Sequence, residues 1–399
     1  MERREFLKIA AGVAMTAVHP LSGCADLGKG HALRKPVKEG LPAKVFLSGT
    51  ARGASEKDIR TAVRETALAA TDFSWLTKRD TVFIKTVNNS GNPYPATTSP
   101  VAVAAMIELL REKGARRVIV GDMSGVQFVR FTRESLKGSS RKLMEKAGLA
   151  QAVIKAGAEL HCFEEAGWDA FHEDRPVEGA HWKGPIMMPN ILKEADHIIL
   201  MPRCSRHILA GSTLGLKAAV GYWRHDTRLE YHHDASTLHE KTAEANTVET
   251  LRKKQRLVLT TADKILTTVG PDDGYVYEPE RGLNMASESV VAHEMVSLAW
   301  LLANRHDMPE SERDGFLDSS KMVPRMVNRV VNNFLSGWGK AITADTFIKN
   351  DISGIWDDRV LAHACHVYGG VPRTSLVVHG GTVTEDLKKR LAEMISLPA

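Results

Sequence analysis

The sequence predicts an α/β protein with a largely parallel sheet flanked by helices and a helical C-terminal extension. From residue 43 onward, short runs rich in β-branched residues alternate with amphipathic helical stretches, which is typical of parallel α/β folds. Beyond residue 304, apolar side chains recur at helical spacing. With 43% hydrophobic and 25% charged residues, the composition is that of a globular protein with a sizeable core.

The elements of the α/β region follow from residue pattern and capping signals. Strands are predicted over residues 45–47, 81–87, 118–120, 159–163 and 197–201, with one or two more within 257–269. Ser55 and Asp58 form a capping box for a helix that runs to about residue 70. Ser99 is the predicted N-cap of the next helix, with Pro100 in its first turn. Further helices are predicted from residue 139 and over residues 288–304.

The C-terminal pattern consists of apolar residues three and four positions apart. They are Val323, Met326, Val327, Val330, Val331 and Phe334. Such a face is expected to pack in a core, and membrane or partner docking is the alternative. We therefore divide the chain into a signal peptide (1–23), a linker (24–42), an α/β domain (43–304) and a mainly helical extension (305–399).

The N-terminal residues carry an export signal. Arg3 and Arg4, with the Phe, Leu and Lys that follow, match the twin-arginine signal, and the apolar run over residues 9–18 is too short to span a bilayer. The sequence LSGC at residues 21–24 resembles a lipobox, in which Cys24 would be acylated; ordinary cleavage is the alternative. We expect recognition by the twin-arginine export machinery and a location in the periplasm or cell envelope, with a lipid anchor at Cys24. Because this route carries folded proteins, it also favours a cofactor.

Charge and cysteine content exclude several classes of protein. Loss of the signal, which has three basic and two acidic residues, would lower the net charge from +5 to +4, too little to indicate nucleic-acid binding. After Cys24, the cysteines Cys162, Cys204 and Cys365 are isolated from one another, so no iron–sulfur cluster is expected. We expect free or metal-bound thiols.

A series of short blocks resembles the family named domain of unknown function 362. The blocks are FIKTVNN (83–89), ATTSP (96–100), IELLREKGA (107–115), VIVGD (118–122), MEKAGL (144–149), ADHIILMP (195–202) and TLGLK (213–217), with His207 and Gly221. The resemblance covers about residues 43–303 and implies little about chemistry, since the family is named for its unassigned function. Many members carry ferredoxin-like iron–sulfur modules, which this chain lacks. Ser205 and His293 stand where the family commonly has Lys and Asp.

A segment rich in histidine is the first candidate site. Its potential soft or borderline ligands are Cys204, His207, His225, His232, His233 and His239. Imidazole and thiolate groups suit zinc, iron, nickel or copper, so we predict a transition-metal site formed by Cys204, His207, His225, His232 and His233. The alternative is that His232 and His233 lie in a solvated turn and that His207 is a hydrogen-bonded loop residue.

A second candidate site lies at the predicted carboxyl ends of the strands, where open α/β sheets bind ligands. Lys85 and Asp122 are its catalytic candidates, and Asn88, Ser99 and Lys217 are its candidates for binding a cofactor or a small anion. The alternative is that Ser99 caps its helix, Asp122 fixes a turn and Lys217 lies on the surface.

Three further motifs give weaker signals. His293 and Glu294 begin a zinc-protease HExxH motif, which Ser297 breaks, so we reject it. His363 and His366 share a helix face away from Cys365, and we expect them to pack rather than bind metal. The sequence PDDG at residues 271–274 predicts a turn whose carboxylates could add hard ligands near the strand ends. Standard dinucleotide, nucleoside-triphosphate and serine-hydrolase motifs do not occur.

Two functions follow from these observations. The first is an exported metal- or metallocofactor-binding protein that performs redox or Lewis-acid chemistry on a small anionic substrate. In it, Cys204, His207 and His232 would hold the metal, Lys85 and Lys217 would hold the anion, and Asp122 would orient a ligand or move a proton. The alternative is a non-catalytic periplasmic binding or assembly lipoprotein.

Overall fold

The computed structural model describes residues 38–177, 180–207, 210–233, 237–268, 270–312, 352–380 and 382–398. The predicted export signal, Cys24 and the apolar repeat at 323–334 lie outside these residues. In the part described, no helix combines the length and the apolar character needed to cross a bilayer.

Sixteen strands occur in the described residues. They are β1 (Glu39–Ala51), β2 (Thr81–Lys85), β3 (Arg117–Asp122), β4 (Arg130–Phe131), β5 (Leu136–Lys137), β6 (Glu159–Cys162), β7 (Phe171–Asp174), β8 (Ile186–Pro189), β9 (His197–Leu200), β10 (Ser205–His207), β11 (Gly211–Thr213), β12 (Gln255–Ala262), β13 (Ile265–Leu266), β14 (Val276–Tyr277), β15 (Arg281–Ser287) and β16 (Val371–Val378).

Eight of these strands form the central sheet, in the order β16–β1–β15–β12–β9–β2–β3–β6. β15 runs antiparallel to both of its neighbours, and every other neighbouring pair in the sheet is parallel. The carboxyl ends of β2, β3 and β9 therefore lie side by side at one edge of the sheet. The α/β class with a largely parallel sheet is confirmed.

Eleven α-helices accompany the strands in the described residues. They are α1 (Glu56–Ala70), α2 (Pro100–Glu112), α3 (Ser140–Lys146), α4 (Leu149–Lys155), α5 (Ile191–Glu194), α6 (His225–His233), α7 (Leu238–Glu244), α8 (Glu249–Lys254), α9 (Val290–Asp307), α10 (Arg359–Val367) and α11 (Glu385–Ile395). The predicted capping box is present, because the Asp58 backbone N–H donates to Ser55 Oγ while Asp58 accepts from the Ser55 backbone.

Side chains alternate between the two faces of the central strands, so each strand serves two cores. On β2, Val82 and Ile84 pack with helices α1, α2 and α4, whereas Phe83 packs on the other face among aromatic residues that include Trp223 and Tyr231. A third core joins β1, β12 and β15 to helices α9, α10 and α11. The region that carries the candidate site is therefore braced from both faces of the sheet.

The C-terminal region adds a strand to the central sheet as well as helices. β16 pairs in parallel with β1, with Val45 opposite Leu376. The sequence pattern predicted helices here and did not identify this strand. Leu361 of α10 is fully buried in the third core, so this region contributes directly to the packing of the main fold.

Replacement of Leu361 by Ala tests this packing. We expect the free energy of unfolding to fall by about 2–5 kcal/mol, because the substitution leaves a cavity in the core. Leu397, which is 44% exposed, is the matched control, and Leu397→Ala should change the value by less than about 0.5 kcal/mol. Urea denaturation measures both; equal, small effects would show that α10 does not stabilise the core.

Candidate functional site

The strands bring polar residues together at the carboxyl edge of the sheet. Lys85 ends β2 and Asp122 ends β3, and the register places Lys85 opposite Gly121 on one side and Leu200 on the other. Arg203 follows β9 at the same edge. Open parallel sheets bind ligands at this edge.

Lys85 and Asp122 form a buried ion pair. Lys85 Nζ lies 2.8 Å from Asp122 Oδ1, and the two side chains are 0% and 3% exposed. The carboxylate also accepts hydrogen bonds from the backbone N–H groups of Asn88, at 2.6 Å, and Met123, at 2.9 Å. Burial lowers the pKa of Lys85, and the negative charge of Asp122 opposes that shift. Because the hydrogen bonds of both groups are used within the protein, the pair links the ends of β2 and β3.

Gly221 closes over this ion pair. It belongs to a 3₁₀ helix, Lys217–Tyr222, and a Cβ atom at this position would overlap Asp122 Oδ1 and Lys85 Nζ. The Tyr222 ring lies against the pair, with its centroid 5.1 Å from Lys85 Nζ. Glycine is therefore required for the close approach of this backbone to the buried charges.

Arg228, on α6, is buried and fully engaged. Its guanidinium donates to the carbonyl groups of Met123, Ser124, Gly221 and Trp223 at 2.6–2.9 Å. Burial lowers its pKa to about 10. Arg228 thus ties the end of β3 to the 3₁₀ helix and to α6.

Arg203 differs from Arg228 in its hydrogen bonding. It is 0% exposed, and its Nη1 donates to the Ala96 carbonyl, but Nε and Nη2 have no hydrogen-bond partner among the described residues. Burial lowers its pKa to about 10, although the charges of Asp272 and Asp122 oppose the shift. Leaving buried donors unpaired is costly, so these two groups mark a place where an acceptor would bind favourably.

Lys217 is a second buried cation whose hydrogen-bond donors are not satisfied by the described residues. Its side chain is 9% exposed, and it forms no ion pair or hydrogen bond with the described residues; its Nζ lies 5.8 Å from the centroid of the Tyr231 ring. Burial, together with the charges of Arg203 and Arg228, lowers its pKa to about 7. The Lys217 amine therefore changes its charge near neutral pH.

Asp272 lies within electrostatic range of both Arg203 and Lys217, and Asp122 lies within range of Arg203, but other groups already occupy the oxygen atoms of both carboxylates. Asp122 is paired with Lys85. Asp272 accepts from the side-chain amides of Asn89 and Gln127, each at 2.6 Å, and the Asn92 amide donates to its carbonyl. These bonds hold the predicted turn at residues 271–274 at the rim of the sheet. We call Lys85, Arg203, Lys217 and Arg228 the cationic cluster.

Glu294 fixes the segment that carries Lys217. Its Oε2 accepts from the backbone N–H of Leu216 at 2.9 Å, and Gly215 also donates to this carboxyl. Burial raises the pKa of Glu294 to about 8. A zinc-protease HExxH motif in α9 was rejected because Ser297 interrupts it. In the structure its first two residues, His293 and Glu294, are buried.

His207 lies within electrostatic range of the same cations. It is buried, and burial, followed by the charges of Lys217 and Arg203, lowers its pKa well below the ordinary value. The Ala210 backbone N–H donates to His207 Nδ1 at 3.3 Å, which requires an unprotonated nitrogen there. His207 is therefore a neutral imidazole beside positive charge.

The other predicted metal ligands occupy different surroundings. Cys204 is buried in the core, where its Sγ contacts the Ser297 carbonyl at 3.7 Å and burial raises the pKa of its thiol. Burial and Arg228 lower the pKa of His225 to about 4. His232 Nδ1 donates to the Arg228 carbonyl at 2.7 Å. The side chain of His233 lies outside the described part of the chain.

Among the described residues, the predicted ligands of the 204–239 segment form no group of three that could hold one metal ion. Within the described residues, three His, Cys, Asp or Glu ligand atoms lie within 4.8 Å of one another at His181, Glu244 and His363, and not in the 204–239 segment. A metal site in that segment stays a prediction.

The remaining predicted residues have structural contacts. Ser99 caps α2 by accepting from the Ala102 backbone N–H at 3.3 Å. The Asn88 side chain donates to Ser124 Oγ and accepts from Thr97 Oγ1. Arg203 was not among the residues predicted from the sequence. The feature that could have identified it is a basic residue directly after a buried strand and Met201–Pro202.

Comparison with known proteins places the chain in a family. The model of the family described as "Domain of unknown function (DUF362)" matches residues 82–299, more than half of the chain. No curated protein matches. Among solved structures, the lactate racemase apoprotein from Thermoanaerobacterium thermosaccharolyticum is similar, with 12% identity and a TM-score of 0.37 over 88% of this chain and 86% of that one. The family resemblance noted in the sequence is confirmed, and the chain belongs to the DUF362 family.

Proposed function

We propose that the protein binds a small ligand that carries a carboxylate or phosphate group in the cationic cluster. The observation that carries this proposal is that two nitrogen atoms of buried Arg203, Nε and Nη2, have no hydrogen-bond partner among the described residues and lie within electrostatic range of Lys217. A guanidinium edge matches the two oxygens of a carboxylate or phosphate. An anion there would offset the cost of burying these cations.

Lys217 is the residue that favours a catalytic role for the same site. General acid–base groups work best with a pKa near the working pH, and the pKa of Lys217 is lowered to about 7. We propose that Arg203 holds the anionic group and that Lys217 exchanges a proton with the bound ligand. Lys85 and Asp122 then act as positioning residues, which revises their earlier assignment as catalytic candidates.

The metal proposal for His207 and His232 meets an electrostatic obstacle. Lys217 and Arg203 place positive charge near His207, which disfavours a bare divalent cation and favours an anion. Metal or metallocofactor chemistry in this segment remains a proposal, as do export by the twin-arginine route and a lipid anchor at Cys24. The alternative, a non-catalytic binding protein, would use the same anion site but would not convert its ligand.

Replacement of Lys217 by Met tests the site. We expect at least one of sulfate, inorganic phosphate and succinate to bind with one site per chain, and Lys217→Met to weaken that binding by about tenfold or more. Isothermal titration calorimetry at pH 6.5 measures the dissociation constants. The exposed Lys57 is the matched control, and Lys57→Met should leave them unchanged. Equal affinity in wild type and Lys217→Met, or no binding of any of the three anions, would contradict the proposal.

Sulfate affinity should also depend on pH. A lysine attracts an anion when protonated, so with a pKa of about 7 the affinity should be highest below pH 7 and fall by up to about tenfold per pH unit above it. Sulfate keeps its charge over this range, and the low pKa of His207 keeps that residue neutral. Titrations from pH 6 to pH 8.5 measure the effect. Lys217→Met should show a flat profile; the same slope in this variant would assign the titration to another group.

Lys85→Met should instead reduce stability. Removing one partner of a buried ion pair leaves the other charge uncompensated, so we expect a loss of about 3–5 kcal/mol in the free energy of unfolding. Lys57→Met should cost less than about 0.5 kcal/mol. Urea denaturation provides the comparison. A Lys85→Met protein of normal stability that no longer binds sulfate would return Lys85 to the ligand-binding residues.

A further inference from the structure

A second group of polar residues lies apart from the cationic cluster. His181 precedes β8, Glu244 ends α7 and His363 lies within α10. His181 Nδ1 is 2.6 Å from Glu244 Oε1, and His363 Nε2 is 2.9 Å from the same oxygen. The three ligand atoms lie within 4.8 Å of one another. We propose that His181, Glu244 and His363 bind a divalent transition-metal ion such as Zn²⁺.

The donor set suits zinc. Two imidazole nitrogens and one carboxylate form a known class of three-ligand zinc site, with a further position open to water or a substrate. Burial raises the pKa of Glu244, but hydrogen bonds from His363 and His181 outweigh this and leave it below the ordinary value, so the carboxylate is ionised. The side chains of His181 and His363 are 38% and 18% exposed, which gives an ion a route from solvent.

The surrounding structure holds these ligands in place. The second carboxylate oxygen, Glu244 Oε2, accepts from the His181 backbone N–H at 2.7 Å, which fixes the orientation of the carboxylate. One turn earlier on both helices, Arg359 of α10 pairs with Glu240 of α7 at 2.6 Å. Beyond α10, Tyr368 Oη donates to the Asn246 carbonyl at 2.9 Å. The two helices are thus tied on both sides of the site, which limits the rearrangement that binding requires.

Metal binding requires a small local movement. Ligand atoms around a tetrahedral zinc with bonds of about 2.0–2.2 Å lie about 3.3–3.6 Å apart, so the two contacts to Glu244, now 2.6 and 2.9 Å, would lengthen by about 0.4–1.0 Å. The partly exposed rings can accommodate this by rotation. Each ring nitrogen that now donates to Glu244 must be free of hydrogen to bind the metal, and in a neutral imidazole the hydrogen moves to the other ring nitrogen.

Titration of the metal-free full chain with Zn²⁺ at pH 7.5 tests the site. We expect tight binding at these residues, and His181→Ala and His363→Ala should each weaken it by at least about tenfold. His379 is exposed and lies outside the group, so His379→Ala should bind as wild type does. Co²⁺ should give the visible absorption bands of a tetrahedral site in wild type and lose them in both variants.

Circular dichroism shows whether each variant folds. If His363→Ala does not fold, His181→Ala alone decides, because His181 is the most exposed ligand of the three. The double variant His207→Ala/His232→Ala should keep this zinc site. Zinc binding of unchanged affinity in folded His181→Ala and His363→Ala, or no zinc binding by folded wild type, would overturn the proposal. Sulfate binding tests the cationic cluster, whose residues are different, so the anion-site proposal and the zinc-site proposal can fail independently.

Discussion

The buried ion pair between Lys85 and Asp122 determines the geometry of the carboxyl edge. Two charges taken out of water are tolerable when they pair and when backbone N–H groups satisfy the remaining oxygen positions, as Asn88 and Met123 do here. The pair links the ends of β2 and β3 and requires Gly221 in the 3₁₀ helix above it. Lys217 begins that helix, so its position depends on the same packing.

Two buried arginines have different roles, since Arg228 stabilises the fold and Arg203 is proposed to bind an anion. Arg228 donates to four carbonyl groups, and so its burial is compensated within the protein. Arg203 has two donors without a partner in the described residues. Nearby carboxylates moderate the positive charge, but Asp122 and Asp272 are engaged elsewhere. An external anion is the group that best completes this arrangement.

The sequence predicted the parts of this structure that depend on local signals. The capping box at Ser55, the cap at Ser99 and the buried strands around Lys85 and Asp122 all appear, because capping and burial leave short-range patterns. β16 was not identified, since its pairing with β1 joins residues more than 300 positions apart. Lys217 was a predicted anion-binding residue, but its low pKa depends on burial and on charges that tertiary structure supplies.

The group formed by His181, Glu244 and His363 also could not be predicted from short-range sequence patterns. Its members lie far apart in the chain and share no motif spacing, and the sequence favoured simple packing for His363. Histidine density along the chain pointed instead to residues 204–239. Among the described residues of that segment, Cys204, His207, His225 and His232 lie in different surroundings, because the number of histidines in a segment does not determine where their side chains point.

Measurement of the Lys217 pKa by NMR tests the central claim most directly. Protein labelled with ¹³C at the lysine Cε atoms, with the Lys217 signal assigned from its loss in Lys217→Met, would be titrated with and without saturating sulfate. The account predicts a pKa of about 7 without sulfate and a clear rise with it. A pKa near the ordinary lysine value of 10.5, unaffected by sulfate, would contradict it.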